Sequence, residues 1–126
     1  MTDRAAVDRW LDAYLAAWKT YDPGQIGELF AEGVEYAYRP TGDTLVGREA
    51  VVRSWIEDDP DDPGTYDGAY EVYAVEGDRA VAVGTSTYAS PDGSVRAVYD
   101  NCFLLRFDAE GRCSEFTEWF MERPTP

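Results

Sequence analysis

Three turn sequences divide the second half of the chain, and they constrain its fold more than any other feature. Gly77-Asp78, Pro91-Asp92-Gly93 and Asp108-Ala109-Glu110-Gly111 all carry residues that close tight hairpins. The segments between them are rich in β-branched and aromatic residues, which favour strands. Short hairpins join neighbouring antiparallel strands. We therefore predict an antiparallel meander of four strands, at 68–76, 79–89, 95–107 and 112–121.

The first half of the chain has the apolar spacing of helices. A first helix is predicted from Thr2, its cap, to Thr20, because apolar residues recur there at steps of three and four. A second helix is predicted to begin at Asp22-Pro23 and to end at Gly33, and a third covers 47–58. A short strand is predicted at 34–38. The apolar stripe of the first helix consists of Val7, Trp10, Leu11, Tyr14, Leu15 and Trp18.

This order of elements is an α+β pattern, with three helices and one early strand followed by four meandering strands. The chain has no repeat and no internal linker, so we predict one domain spanning 1–126. The acidic segment 58–63 lacks the glycine and the spaced ligands of a calcium loop. We expect it to be a solvated loop.

The charge balance and the absence of histidine exclude several function classes. The chain has 11 basic and 25 acidic residues, a net charge of −14, and no histidine. Such a surface repels phosphate backbones and anionic lipids, so neither nucleic acid nor a membrane is an expected partner. Ser–His and Cys–His mechanisms are excluded, and no metal or other cofactor is expected. Because the sequence has no signal peptide and no long apolar run, we expect a soluble, cytoplasmic protein.

Pairing the strands through the three turns predicts which side chains share the face that meets the helices. The pairing assumes that Phe107 faces Arg112, that Ser90 faces Ser94 and that Glu76 faces Arg79. It places Glu118 and Asn101 side by side on an otherwise apolar face. The three predicted rows are Tyr70, Thr85, Tyr99 and Phe120; Val72, Val83, Asn101 and Glu118; and Ala74, Val81, Phe103 and Phe116.

A carboxylate on an apolar face is costly unless it is hydrogen-bonded, and burial moves the pKa of a carboxylate towards the value that a general acid or base needs. Asn101 could orient the Glu118 carboxylate or bind a substrate oxygen. Tyr14, Tyr36 and Tyr38 could donate hydrogen bonds to a developing oxyanion. The alternative is a purely structural network around Glu118, and the two interpretations carry equal weight. For Tyr14 taken alone, a core position is favoured.

The chain has 9 Tyr, 4 Trp and 5 Phe, and large rings beyond the needs of a core often line a pocket. We expect a pocket for a small apolar or aromatic molecule. On the opposite face of the sheet, Cys102, Leu104 and Trp119 are predicted to point outward, which predicts a homodimer through that face. Cys102 and Cys113 are predicted to be free thiols. The predicted ligand-binding residues are Trp18, Tyr36, Trp55, Tyr70, Thr85, Tyr99, Phe103, Phe116 and Phe120.

Short sequences spread over nearly the whole chain carry a family resemblance. They include Ala17-Trp18, Tyr21-Asp22-Pro23, Gly47-Arg48-Glu49-Ala50-Val51 and Phe116-Thr117-Glu118-Trp119-Phe120. In this order they resemble the nuclear-transport-factor-2-like superfamily, and within it the SnoaL-like group. The resemblance implies a cystatin-like α+β barrel, in which a cone-shaped, mainly antiparallel sheet wraps around a long N-terminal helix. It also implies a pocket at the open end of the cone and dimers through the outer face.

The resemblance extends only in part to the functional residues of enzymes with this fold. The oxyanion-hole tyrosine of ketosteroid isomerases falls on Tyr14, but their two aspartate positions fall on Tyr38 and near Phe103. That activity is therefore not expected. Glu118 takes the place of the last-strand acid of limonene-epoxide hydrolases, whose other two catalytic positions fall near Thr85 and Thr87.

These observations lead to two hypotheses for the function. The first is a pocket domain that binds a small apolar molecule and performs cofactor-independent acid–base chemistry, as an isomerase, cyclase, dehydratase or epoxide hydrolase. Glu118 would move the proton, Asn101 would orient the Glu118 carboxylate, and Tyr14 or Tyr38 would stabilise the oxyanion. The second hypothesis is a non-catalytic ligand-binding or dimerisation module whose polar pocket residues are structural.

Overall fold

The computed structural model describes residues 2–40, 42–58, 66–90 and 92–124. Within these residues the chain forms one six-stranded sheet and three α-helices, which confirms the α+β prediction. Most of the predicted acidic loop lies outside the described residues. The helices are α1 (Arg4–Thr20), α2 (Pro23–Glu28) and α3 (Arg48–Arg53), and α3 continues into a π-helical turn (Ser54–Asp58). The strands are β1 (Phe30–Arg39), β2 (Thr44–Val46), β3 (Tyr66–Glu76), β4 (Arg79–Ala89), β5 (Val95–Phe107) and β6 (Cys113–Glu122).

The sheet is mixed, with the strand order β2-β1-β6-β5-β4-β3. The four strands β3 to β6 form the predicted antiparallel meander. Strand β1 lies parallel to β6, and the short strand β2 pairs with the outer edge of β1. The early strand therefore joins the meander through its last strand. Sequence analysis did not predict β2.

Two helix boundaries differ from the predictions. The cap of α1 is Asp3 and not Thr2, because the Asp3 carboxylate accepts a hydrogen bond from the backbone N–H of Ala6 at 2.8 Å. Helix α2 begins at the predicted Asp22 cap but ends at Glu28, well before Gly33. The reason is tertiary, because Phe30 already pairs with Cys113 of β6 and so starts a strand.

The buried core lies between α1 and one face of the sheet. The stripe predicted for α1 is confirmed, with Leu15 half-buried and the other five members buried. From the sheet, Phe30, Phe103 and Phe116 are fully buried against this helix. None of the described helices combines the length and the apolar composition that a membrane span requires. Cys102 and Cys113 are free thiols, as predicted.

The predicted β5–β6 pairing is wrong by two residues, and the inner face is nevertheless unchanged. Leu105 pairs with Phe116, whereas the prediction paired Phe103 with it. The loop is one residue shorter than assumed, because Asp108 pairs with Arg112, and a bulge at Ser114 of β6 then shifts the pairing by one more residue. Side chains alternate between faces with a period of two, so this even shift leaves Glu118 and Asn101 on the inner face.

The predicted facing of β4 is wrong. The predicted turn is present, since the backbone N–H of Ser90 donates to the carbonyl of Ser94 at 2.8 Å. A bulge at Arg96 then shifts the β4–β5 register by one residue. A shift of one residue exchanges the two faces of a strand. The inner face of β4 therefore carries Ala82, Gly84 and Ser86 in place of the predicted Val81, Val83 and Thr85.

A second bulge restores part of the predicted inner face on β3. Glu76 pairs with Arg79 as predicted, but the bulge at Tyr73 shifts the rest of the strand by one residue. Val72 is buried and Tyr70 is half-buried, so both remain on the inner face. Ala74, which was predicted to lie with them, is exposed.

Candidate functional site

A cavity of about 90 Å³ opens between α1, the π-helical turn and the inner face of the sheet. This is several times the space that one water molecule needs. Its walls are mostly aromatic, and its mouth leaves it partly open to solvent. The lining residues are Tyr14, Trp18, Tyr21, Tyr36, Tyr38, Ser54, Trp55, Tyr70, Ser86, Tyr88 and Glu118.

Glu118 is the charged residue of this wall, and all the other described lining residues are uncharged. Strand β6 places it between two neighbours, with Tyr38 of β1 on one side and Phe103 of β5 on the other. The side chain is half-buried. The parallel pairing of β1 with β6 therefore brings a carboxylate and tyrosine side chains to one cavity.

Burial holds the hydroxyls of Tyr14, Tyr36 and Tyr70 in the protonated form, because it raises the pKa of each. The hydroxyl of Tyr38 donates a hydrogen bond to the hydroxyl of Tyr36 at 3.2 Å. Burial raises the pKa of Tyr14 well above its ordinary value, and the charge of Glu118 raises it further. The pKa of Tyr36 is raised by burial, then by Tyr38, Tyr14 and Glu118. Neutral hydroxyls can donate hydrogen bonds to a ligand oxygen.

Asn101 belongs to a polar cluster beside the cavity. It is buried, and its Nδ2 donates hydrogen bonds to the Ser86 hydroxyl and, at 3.5 Å, to the Tyr70 hydroxyl. Its Oδ1 has no hydrogen-bond partner among the described residues. The predicted side-by-side pairing with Glu118 is wrong, because Asn101 pairs with Phe120 and is therefore diagonal to Glu118.

The structure brings some of the predicted ligand-binding residues to the cavity wall and places the others elsewhere. Trp18, Tyr36, Trp55 and Tyr70 line the cavity, as do Tyr14 and Tyr38. Phe103 and Phe116 are fully buried in the core. The ring of Phe120 packs against those of Tyr38 and Tyr99. Thr85 lies on the outer face, because of the bulge at Arg96.

Sequence analysis missed four residues of the wall: Tyr21, Ser54, Ser86 and Tyr88. Ser86 and Tyr88 follow from the reversed facing of β4. Tyr21 ends α1 in the left-handed conformation, with φ of 50°, and no sequence signal marks a tyrosine for that position. Ser54 belongs to the π-helical turn, a feature often found at functional sites but without a sequence signature here.

Among the described residues, no group of three or more Cys, Asp or Glu side chains is arranged to hold a metal ion. The chemistry that this chain's own groups offer at the cavity is that of one carboxylate and several neutral hydroxyls. A carboxylate can accept a proton or pair with a cation, and a phenol can donate a hydrogen bond.

A family model for the SnoaL-like domain matches residues 11–116. The match covers most of the chain, and this protein therefore belongs to the SnoaL-like domain family. It has the NTF2-like, cystatin-like architecture that the resemblance implied. A sequence comparison with curated proteins finds no match.

Several solved structures share this fold at low sequence identity. An LEH-like epoxide hydrolase from M. tuberculosis has 13% identity over 95% of this chain and 86% of its own, with a TM-score of 0.70. TerC, co-crystallised with polyporic acid, has 18% identity over 92% of each chain and a TM-score of 0.70. A protein of ketosteroid isomerase-like fold from Catenulispora acidiphila, in complex with trimethylamine, has 20% identity over 86% of this chain and 82% of its own, with a TM-score of 0.64.

Proposed function

We propose that this protein binds a small organic molecule in the aromatic cavity and performs cofactor-independent acid–base chemistry on it with Glu118. The observation that carries the proposal is the shared cavity wall of one carboxylate and protonated tyrosines. A concave, mostly aromatic site with a few convergent polar groups is typical of small-molecule sites. Two proteins of the same fold were crystallised with a small molecule, polyporic acid in one and trimethylamine in the other.

In this proposal Glu118 accepts a proton from the substrate and returns it at a second position, as an isomerase or cyclase requires. The hydroxyls of Tyr14 and Tyr38 donate hydrogen bonds to the substrate oxygen that gains negative charge. Glu118 is half-buried, and electrostatic interactions are stronger where water is partly excluded. Asn101 acts as a positioning residue that holds Ser86 and Tyr70 in the wall.

The test uses a panel of epoxides and of β,γ-unsaturated ketones, which report epoxide opening and proton transfer. The Glu118→Gln variant should lose turnover by about a hundredfold or more, the usual effect of removing a general acid or base. Its affinity for the converted compound should stay near the wild-type value. Glu115→Gln is the matched control, because Glu115 lies on the same strand but on the other face, beside Arg106. Unchanged turnover in Glu118→Gln, or no conversion of any panel compound by the wild type, would contradict the proposal.

A non-catalytic ligand-binding module is the second candidate. The hydrogen bonds of Asn101 to Ser86 and Tyr70 favour it, because they serve the packing of the wall rather than a substrate. In that case Glu118→Gln would lower the affinity for a bound molecule or the free energy of unfolding. Native mass spectrometry after incubation with host extract would show a retained molecule, and no panel compound would be converted.

We also propose that two copies associate through the outer face of the sheet. Leu104 and Trp119 are each 43% exposed there, and Met121 is 64% exposed. Cross-strand pairing places Val83, Cys102 and Trp119 in one row. In sedimentation experiments the wild type should be a dimer, and Trp119→Glu should be a monomer. Tyr73→Glu, at an exposed bulge of β3, is the control that should remain a dimer.

A further inference from the structure

The walls of the cavity consist almost entirely of electron-rich rings. Six tyrosines and two tryptophans line it, and several of these rings pack against one another. The ring centroids of Tyr14 and Trp55 are 5.4 Å apart, and those of Tyr36 and Tyr38 are 5.2 Å apart. The faces of such rings carry partial negative charge, which attracts a cation within about 6 Å of the ring centroid.

The charge on the described lining residues of the cavity has one sign. Glu118 is the charged side chain of the wall, and no Lys or Arg belongs to the described lining residues. The whole chain carries a net charge of −14, which adds to the negative potential around the mouth. An anionic ligand would therefore lack a counter-charge in the wall, while a cationic ligand would find one.

The protein already places one of its own cations on a ring of this wall. The guanidinium of Arg96 lies over the ring of Tyr88, 5.6 Å from its centroid. Arg96 is the bulged residue of β5, and it is exposed. The wall can therefore hold a positive charge against a tyrosine face.

From these observations we infer that the cavity binds the ammonium group of a small organic amine, tertiary or quaternary, with Glu118 as its counter-ion and the tyrosine and tryptophan rings as its cage. This inference rests on the proposed function, because it concerns the same cavity and the same carboxylate, and it adds a class of ligand that they bind. Aromatic rings and a carboxylate together match an alkylated ammonium group, whose methyl groups are apolar and whose charge is spread over them. A tertiary ammonium would also donate its N–H to the carboxylate of Glu118.

The experiment compares tetramethylammonium with tert-butanol, a neutral probe of similar shape. Binding is followed by the change in tryptophan fluorescence, since two of the four tryptophans, Trp18 and Trp55, line the cavity, and by NMR of the labelled protein. We expect the cation to bind about tenfold more tightly than tert-butanol. Glu118→Gln should weaken the cation about tenfold and leave tert-butanol unchanged. Glu115→Gln removes an equal charge from the outer face and should change neither affinity.

A second pair of variants tests the cage itself. Tyr38 is half-buried, so its substitution is tolerated better than that of a core ring. Tyr38→Phe keeps the ring face and should keep the affinity for tetramethylammonium, while Tyr38→Leu should lower it severalfold. An equal loss in both variants would overturn the cage, because the hydroxyl and not the ring would then matter.

The outcomes separate this inference from the proposed function. Equal affinity for tetramethylammonium and tert-butanol would overturn the cation preference and leave the acid–base proposal intact. Binding of neither probe to the folded protein would also overturn the inference. The acid–base proposal is decided independently, by the turnover of Glu118→Gln on neutral epoxides and ketones.

Discussion

The ring of Tyr36 stacks on the ring of Phe116, with centroids 4.4 Å apart and planes within 7° of parallel. The two residues are direct partners in the parallel pairing of β1 with β6. Phe116 is fully buried in the core, while Tyr36 also lines the cavity. The stack therefore joins the floor of the site to the hydrophobic core, and two positions that sequence analysis assigned to a ligand have different roles.

Phe116→Ala should lower the free energy of unfolding by about 3–5 kcal/mol, because it removes a fully buried ring that contacts several others. Tyr36→Phe keeps the stack and loses the hydrogen bond from Tyr38, so its cost should be only about 1 kcal/mol. Urea unfolding measures both values. A loss of only about 1 kcal/mol in Phe116→Ala would show that the stack contributes little.

Gly84→Ala should disrupt the packing of β4 against β3. Gly84 pairs directly with Tyr70, and an added Cβ would collide with the backbone oxygen of Ala69 and come within 2.6 Å of the Tyr70 ring. We expect a loss of about 3 kcal/mol, since the backbone must move to make room. Gly33→Ala is the control, because nothing lies within 4 Å of an added Cβ there. Urea unfolding that finds equal stability for the two variants would refute this account.

Asn101 and Ser86 should be energetically coupled. Each is buried, and the Asn101 amide donates to the Ser86 hydroxyl. Removing either group leaves the other short of a partner, so Asn101→Ala and Ser86→Ala should each cost about 1–3 kcal/mol. The double variant should cost less than the sum, with a coupling of about 1 kcal/mol or more. Strict additivity in thermal unfolding would mean that the two groups do not interact in solution.

Stability should fall at alkaline pH through the buried tyrosines. Burial raises the pKa values of Tyr14, Tyr36 and Tyr70 above their ordinary range. Above a pH of about 10 the unfolded chain therefore loses protons that the folded chain keeps. The stabilisation is complete below that pH and is lost as the pH rises above it.

The ultraviolet absorbance of tyrosinate tests this expectation, with folding followed by circular dichroism in the same samples. Tyr14, Tyr36 and Tyr70 should ionise only when the protein unfolds. Ionisation of all nine tyrosines near pH 10 in the folded protein would contradict the prediction.

The local features of the fold were predictable because they depend on neighbours in sequence. The stripe on α1, the cap at Asp22 and the four meandering strands follow from periodicity and turn chemistry. The inner position of Glu118 was predicted correctly although the β5–β6 pairing was wrong, because a shift of two residues keeps each side chain on its face. The facing of β4 was not predictable, since it depends on a bulge at Arg96 for which the sequence has no signal.

The sequence by itself determined the class of this protein: an acidic, histidine-free α+β chain of the SnoaL-like family, with a carboxylate at position 118 and many rings. Only the tertiary structure decided which rings form the wall and which form the core. In the folded protein Ser86, and not the predicted Thr85, lies at the cavity. Asn101 is hydrogen-bonded to Ser86 and does not pair with Glu118. The physical reason is that side chains alternate across a strand with a period of two, so a single bulged residue reassigns a strand to the other face.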